Sequence, residues 1–304
     1  MSLAIGIGAF GGGLWLLVES VEGLVKSLRA WALAAGLSGV MVGALVLGFD
    51  VESTAAGIAA TLDDLPGTAL GVSVGAAIFL VTVGLGGAAV IAPFRMRPPT
   101  ALLSAAGVAT AMSIALAADG ELSRLDGGLL LAAFFPLVAA VVLGRRKSEQ
   151  ETEERPERPQ LLAVKVVAGI IGLVVGAELL VFGTERVVAE LGLSETLFGL
   201  LVVAAAVSFE EVVLEALPAF RGFPELSVGN ALGTLVFLLT GSLGVIVLAR
   251  PVAVPDSVVS YHLPALAASV LLAGTLLARG RLGRVEGAVL LGAYAAYVGG
   301  AVLT

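Results

Sequence analysis

The sequence has 304 residues, of which 58% are hydrophobic and 13% are charged, and its formal net charge is −7 at pH 7. This composition is typical of a polytopic membrane protein and excludes an ordinary soluble domain. The sequence contains no cysteine, which excludes disulfides, thiolate metal sites and thiol catalysis. The negative charge lies in loops and short acidic runs, so no nucleic-acid-binding surface is predicted.

Apolar stretches of membrane-crossing length follow one another along the chain, separated by charges, prolines and glycines. A helix of about 17–25 apolar residues crosses the hydrocarbon core of a bilayer. The first stretch has no basic region before it and no small-residue cleavage site, so a transmembrane helix is predicted there and not a signal peptide. An all-α polytopic membrane protein with ten transmembrane helices is therefore expected. The predicted spans are residues 2–28, 38–62, 67–92, 100–118, 127–144, 161–187, 196–218, 225–249, 260–278 and 285–303.

The segment 145–160 is the one long polar stretch, and its charges and prolines indicate a solvated linker. It divides the chain into a first half, residues 1–144, and a second half, residues 161–304. Each half contains five predicted spans. Because five is an odd number, the second half is expected to enter the membrane upside down relative to the first.

The distribution of basic residues predicts the orientation, because cytoplasmic loops are enriched in Lys and Arg. With the linker in the cytoplasm, only Arg124, Arg186 and Arg250 lie outside, and both chain termini are also outside. We therefore expect a multi-pass protein of the cell membrane. The basic residues then assigned to the cytoplasmic side are Lys26, Arg29, Arg95, Arg97, Arg145, Arg146, Lys147, Arg155, Arg158, Lys165, Arg221, Arg279, Arg281 and Arg284.

The two halves resemble each other in sequence, with matched residues separated by a nearly constant offset. Such internal similarity between halves of opposite orientation predicts an inverted repeat. The matches are Gly36-Leu37-Ser38 with Gly192-Leu193-Ser194 at an offset of 156, Pro66, Gly71 and Gly75 with Pro224, Gly229 and Gly233 at 158, and Asp119-Gly120 with Arg279-Gly280 at 160.

Two acidic pairs lie inside predicted spans. Asp50 and Glu52 belong to the span 38–62, Glu210 and Glu211 belong to the span 196–218, and neither span contains Lys or Arg. An ionised side chain at the bilayer centre costs roughly 2.5–3.5 kcal/mol even on lenient scales, so intramembrane acids are usually functional. The simplest partner for these acids is a mobile cation. The alternative for Glu210 is a protonated side chain that is hydrogen-bonded within the bundle.

Around these acids the chain resembles the sodium/calcium exchanger family, within the wider cation/Ca²⁺ antiporter superfamily. That family carries a Gly-Thr-Ser-x-Pro-Glu motif followed by Gly-Asn-x-x-Gly-Ser-Asn in each repeat. In the second half, residues 206–211 and 229–235 match the two motifs without a gap. The first half is more divergent, with Gly48, Asp50, Glu52 and Ser53 against the first motif and residues 71–77 against the second.

The chain departs from the family motifs at several positions. Glu210 stands where the family has the proline that helps to break the helix, and no proline occupies that position in the first half. The amide or acid that closes the second motif is replaced by Ala77 and Leu235, which supply no ligand oxygen. Adjacent residues of an unbroken helix point about 100° apart, so Glu210 and Glu211 cannot both face one cavity. The family position favours Glu211 as the direct ligand.

The resemblance implies a secondary antiporter that exchanges Ca²⁺ for Na⁺ by alternating access at a carboxylate site near the midplane. Such hard cations bind oxygen ligands. Two alternatives remain: a cation/H⁺ antiporter of the same fold, or a non-transporting membrane protein. No enzyme activity, cofactor or nucleic acid is expected, and the expected partners of a monomeric transport unit are membrane lipids and inorganic cations. The expected metal ligands are Asp50, Glu52, Ser53, Ser73, Ser208, Glu210, Glu211, Asn230 and Thr234.

Overall fold

The structure is a computed structural model, and it describes residues 2–35, 38–143, 159–191 and 204–301. These residues form eleven helices and two short strands, β1 (Glu121–Leu122) and β2 (Val252–Ala253). The helices are α1 (Ser2–Ala35), α2 (39–47), α3 (Val51–Leu62), α4 (Pro66–Ile91), α5 (Thr100–Ala117), α6 (Arg124–Leu143), α7 (Pro159–Leu191), α8 (Ala204–Phe220), α9 (Pro224–Ala249), α10 (Val258–Ala278) and α11 (Arg284–Ala301).

Six stretches of helix among the described residues are long and apolar enough to cross a membrane. The sequence-based prediction of an all-α membrane protein is therefore confirmed. The predicted spans 67–92, 100–118, 225–249 and 260–278 agree with α4, α5, α9 and α10 to within two residues. The six stretches are Ala4–Leu28, Pro66–Ile91, Thr100–Ala117, Arg124–Val141, Pro224–Ala249 and Val258–Ala278.

The predicted span 38–62 is interrupted in its middle. Helix α2 ends in a π-helical turn, Gly43–Leu47, and Gly48 to Asp50 leave the helical conformation before α3 begins at Val51. The Asp50 carboxylate caps α3 by accepting a hydrogen bond of 2.8 Å from the backbone N–H of Ser53. Capping by an acidic side chain satisfies one of the free N–H groups at a helix start. The break therefore forms here without a proline.

Helix α9 lies at the centre of the bundle, and every residue from Leu226 to Val236 is buried. Helix α2 packs directly on it because α9 carries glycines at the contact. A Cβ atom at Gly229 would lie 2.3 Å from the Val40 carbonyl oxygen, and one at Gly233 would lie 2.4 Å from the Ala44 Cα. Small residues allow such close approach of helix backbones where lipid provides no hydrophobic drive for association.

Helices α1 and α7 pack against each other in antiparallel orientation through glycines of α7. A Cβ atom at Gly176 would lie 2.8 Å from the Leu17 backbone nitrogen, and one at Gly183 would lie 2.2 Å from that of Phe10. Residues with higher numbers in α7 thus contact residues with lower numbers in α1, which defines the antiparallel orientation. The two long helices therefore run side by side, separated by little more than their backbones.

Contacts at the helix ends occur twice, with the two halves of the chain exchanged. Leu122 pairs with Val252 between β1 and β2, and Phe94 pairs with Leu282 in an antiparallel bridge. Val252 is 158 residues after Phe94, and Leu282 is 160 residues after Leu122, which are the offsets of the sequence matches. Each contact therefore joins the two halves, and exchanging the halves turns one contact into the other.

A pair of glycine contacts shows the same exchange. A Cβ atom at Gly86 would lie 3.0 Å from the carbonyl oxygen of Gly287, and one at Gly127 would lie 3.0 Å from that of Gly244. Gly244 is 158 residues after Gly86, and Gly287 is 160 residues after Gly127. Helix α4 therefore meets α11 in the way that α9 meets α6.

Candidate ion-binding site

The break between α2 and α3 places Asp50 and Ser53 together. The Thr54 hydroxyl adds a hydrogen bond of 3.0 Å to the Asp50 backbone carbonyl. Capping occupies one lone pair of the Asp50 carboxylate, and an ionised carboxylate offers about four. Asp50 can therefore cap the helix and still present oxygen to a cation.

The break packs on the buried face of α9. A Cβ atom at Gly48 would lie 2.9 Å from the carbonyl carbon of Gly233 and 2.9 Å from the backbone nitrogen of Thr234. In the first turn of α3, the hydroxyl groups of Thr54 and Ser242 of α9 share a hydrogen bond of 2.9 Å. The structure thus brings the first-half break beside the second-half residue Thr234.

Helix α9 presents two of the expected ligands on one face. Asn230 and Thr234 are 1% and 3% exposed, and residues four apart lie one above the other on a helix. The Thr234 hydroxyl donates to Asn230 Oδ1 at 3.4 Å. Asn230 Nδ2 in turn donates to Glu215 Oε1 at 3.3 Å. A continuous line of polar groups therefore runs from α9 to α8 inside the bundle.

Glu215 is a fully buried acid that the sequence analysis did not include among the expected ligands. The signal in the sequence was its spacing, because it lies four residues after Glu211 and so shares its face of a helix. A buried ionisable group inside the helix bundle of a membrane protein is a candidate functional residue. Its contact with Asn230 connects it to the second family motif.

Ser73 lies in a π-helical turn of α4, Gly71–Gly75, and its side chain is buried. Its hydroxyl has no hydrogen-bond partner among the described residues. Buried hydroxyl groups are normally paired, so an unpaired one within a motif is suited to bind an ion. Ala77 and Leu235, at the closing positions of the second motifs, are fully buried and apolar.

Four expected ligands, Glu52, Ser208, Glu210 and Glu211, have side chains that lie outside the described part of the structure. Their backbones belong to the first turn of α3 and to α8. Helix α8 is continuous from Ala204 to Phe220, so the motif positions of the second half belong to an unbroken helix. Among the side chains that are described, no three His, Cys, Asp or Glu residues cluster as a metal site.

Other acids are paired with basic residues at helix ends. Glu22 of α1 accepts hydrogen bonds from Lys26 at 2.8 Å and from Arg221 at 2.5 Å, and Asp64 forms an ion pair with Arg250. His262 Nδ1 lies 2.7 Å from the Tyr297 hydroxyl oxygen within an aromatic cluster. None of these residues is among the expected ligands, and each has a hydrogen-bond or ion-pair partner within the protein.

Comparison with known proteins identifies the family. A family model described as sodium/calcium exchanger protein matches residues 5–143 and 161–303. CaxA of Alkalimonas amylolytica is 27% identical over 309 residues, which cover 94% of this chain and 95% of that protein. The uncharacterized membrane protein MJ0091 of Methanocaldococcus jannaschii is 27% identical over 249 residues, which cover 80% of this chain and 82% of that protein.

Solved structures of the sodium-calcium exchanger NCX_Mj share the fold. The exchanger soaked with 100 mM Na⁺ and 10 mM Sr²⁺ superimposes with a TM-score of 0.84 at 24% identity, over 98% of each chain. The same exchanger soaked with zero Na⁺ and Ca²⁺ gives a TM-score of 0.84 at 24% identity, over 98% of this chain and 99% of that one. The fold and the family are those of a membrane transporter and not of an enzyme. This chain belongs to the sodium/calcium exchanger family.

Proposed function

We propose that this protein is a secondary antiporter that exchanges Ca²⁺ for Na⁺ by alternating access. The observation that carries the proposal is the contact between the capped break at Asp50 and the buried polar face of α9. The break carries Asp50 and Ser53 from the first half, and it packs on the backbone of the α9 segment that carries Asn230 and Thr234. Transporters of inverted-repeat design bind their ions where interrupted helices of the two halves meet near the midplane.

In this proposal the chain forms ten membrane-crossing helices as two inverted halves of five, with α2 and α3 together making one crossing. The exchanged contacts of Phe94 with Leu282 and of Leu122 with Val252 support that arrangement. The glycine contacts of α4 with α11 and of α9 with α6 support it as well. A two-fold relation between the halves accounts for both sets at once.

The ion site of the proposal uses carboxylates from both halves. Asp50 and Glu52 come from the first half, and Glu211 comes from the second, with Glu210 as a modifying charge. Such a site holds either one divalent cation or several monovalent ones, so Ca²⁺ and Na⁺ compete. Each occupancy neutralises the acids and lets the helices around the site move. The hydroxyl and amide ligands are Ser53, Ser73, Ser208, Asn230 and Thr234.

A second candidate, exchange of a cation for H⁺, is favoured by one observation. Glu215 is a buried acid in direct contact with Asn230, and intramembrane acids serve as proton carriers in pumps and transporters. The apolar Ala77 and Leu235 at two motif positions also remove oxygens that Na⁺ would use. A site with fewer oxygen ligands therefore favours H⁺ over Na⁺ as the coupling ion.

The proposed orientation puts both termini outside the cell and the linker 145–160 in the cytoplasm. Ion pairs at the helix ends support it, because each pair joins groups assigned to the same side. Lys26, Glu22 and Arg221 meet at the cytoplasmic end, and Asp64 meets Arg250 at the outer end. The transport unit is proposed to be a monomer, surrounded by membrane lipid and working without a cofactor.

Calorimetric titration of the detergent-solubilised, monodisperse protein with Ca²⁺ tests the site. We expect saturable Ca²⁺ binding that weakens in the presence of Na⁺, because both ions use the same oxygens. In the matched titration, K⁺ replaces Na⁺ at equal ionic strength, so that general screening is the same. Ca²⁺ binding that is equally weakened by Na⁺ and K⁺ contradicts a shared Na⁺ and Ca²⁺ site.

A further inference from the structure

Glu215 is held in place by its surroundings on two helices. Its side chain is fully buried and lies over Gly84 of α4, where a Cβ atom would be 3.2 Å from Glu215 Cγ. Its Oε1 accepts the hydrogen bond of 3.3 Å from Asn230 Nδ2. The absence of a side chain at Gly84 thus makes room for the acid beside the second family motif.

The chemistry of the two groups fixes the orientation of the Asn230 amide. Asn230 Nδ2 donates to Glu215 Oε1, so the NH₂ of the amide faces the acid. The amide oxygen then turns to the other side, where the Thr234 hydroxyl donates to it at 3.4 Å. A carbonyl oxygen has two lone pairs, so Oδ1 can accept from Thr234 and still bind a cation.

We propose that Glu215 is a positioning residue that orients the Asn230 amide so that its oxygen faces the transported cation. This inference rests on the proposed function, since it assigns Glu215 a task at that same site. In this role Glu215 is ionised, because a charged acceptor holds the Asn230 amide more strongly than a neutral one. The arrangement is particular to the second half, because the first half has no acid between Ser53 and Leu62.

Two substitutions separate the contact from the charge. Glu215→Gln keeps the size of the side chain but removes the charge and adds a donor that competes for the amide oxygen. Glu215→Asp keeps the charge but withdraws it by one methylene group, out of reach of Asn230. Because both changes release the amide, each is expected to weaken Ca²⁺ binding about tenfold, the factor that corresponds to losing one charge-assisted hydrogen bond. Weakening by Glu215→Gln alone overturns the positioning role in favour of a purely electrostatic one.

A double-mutant comparison provides the decisive measurement. In an Asn230→Ala background, Glu215→Gln is expected to leave Ca²⁺ affinity unchanged, since there is no amide left to orient. An equally large effect of Glu215→Gln with and without Asn230 overturns the proposal. Thr240→Val, at another buried polar side chain of α9 whose hydroxyl donates to the Val236 carbonyl at 2.6 Å, is the matched control and is expected to leave affinity unaltered.

Calorimetry is run on variants whose melting temperature and gel-filtration profile equal those of the parent, so that lost binding is not lost folding. The parent titration separates the two proposals. A parent that binds Ca²⁺ and Glu215 variants that bind equally well overturn only the role of Glu215. A parent that does not bind Ca²⁺ overturns the proposed function, and the positioning role with it.

Discussion

The hydroxyl group of Thr54 lies 2.9 Å from that of Ser242, and the two share a hydrogen bond. Thr54 belongs to the first turn of α3, directly after the helix break, and Ser242 is fully buried in a π-helical turn of α9, Phe237–Ser242. This bond therefore connects the break in the first half with the central helix of the second half. Any movement of α3 relative to α9 must break it.

Thr54→Val should weaken this connection. Valine has nearly the shape of threonine but forms no hydrogen bond through its side chain, so the contacts with Ser242 and with the Asp50 carbonyl are both lost. A loss of about 0.5–1.5 kcal/mol in the free energy of unfolding is expected for each. Thermal melts of the parent, Thr54→Val, Ser242→Ala and the double variant measure the coupling between the two side chains. Fully additive losses in the double variant would show that the hydrogen bond contributes nothing.

The two adjacent glutamates of α8 should differ in their roles. They occupy adjacent positions of an unbroken helix, and such positions are about 100° apart; the family position selects Glu211 as the direct ligand. Glu211→Gln is expected to abolish Ca²⁺ binding, and Glu52→Gln to do nearly the same from the first half. Glu210→Gln should mainly change ion preference or pH dependence, as measured by Ca²⁺ titration. Loss of binding in Glu210→Gln but not in Glu211→Gln would shift the site by one residue.

Asp50 has two tasks, and two substitutions separate them. Its carboxylate caps α3 through the N–H of Ser53, and asparagine caps nearly as well as aspartate. Asp50→Asn should therefore keep the melting temperature and weaken Ca²⁺ affinity to an intermediate degree. Asp50→Ala should in addition lose about 0.5–2 kcal/mol of stability. Unchanged Ca²⁺ affinity in Asp50→Asn would leave Asp50 with the capping role alone.

The sequence predicted the ends of α4, α5, α9 and α10 to within two residues, because charge, proline and glycine mark the ends of apolar runs. The segment Gly48-Phe49-Asp50 was assigned to the interior of one span, because it has apolar residues on both sides and contains no proline that would indicate a break. The break depends on the contact of Gly48 with the α9 backbone, which is a tertiary feature. A pattern of hydrophobic residues carries no information about such close approaches.

The ion-binding role of the site residues stays a prediction. Asp50 and Ser53 lie at the break, and Asn230 and Thr234 lie on one face of α9. Glu215 was missed because its spacing from Glu211 gains meaning only when α8 is known to continue as a helix and to face Asn230. When a helix is apolar on all sides, its sequence does not show which side faces the interior of the bundle. Packing against the other helices decides this.

The topology can be tested by labelling, since the chain contains no native cysteine. A single Cys at Ser148 and a single Cys at Thr304 should react with an impermeant reagent from opposite sides of the membrane. The linker is cytoplasmic and the C-terminus is outside in the proposed orientation. Labelling of both positions from the same side would contradict two inverted halves of five helices each.

The most direct test of cation antiport is uptake of radiolabelled Ca²⁺ into proteoliposomes that contain the purified protein. Vesicles loaded with Na⁺ and diluted into Na⁺-free medium should accumulate Ca²⁺, whereas vesicles with equal Na⁺ on both sides, or with Glu211→Gln, should not. A parallel set with an acidic interior measures exchange against H⁺. Accumulation driven only by the proton gradient would contradict Na⁺ coupling, and no accumulation under either gradient would contradict antiport itself.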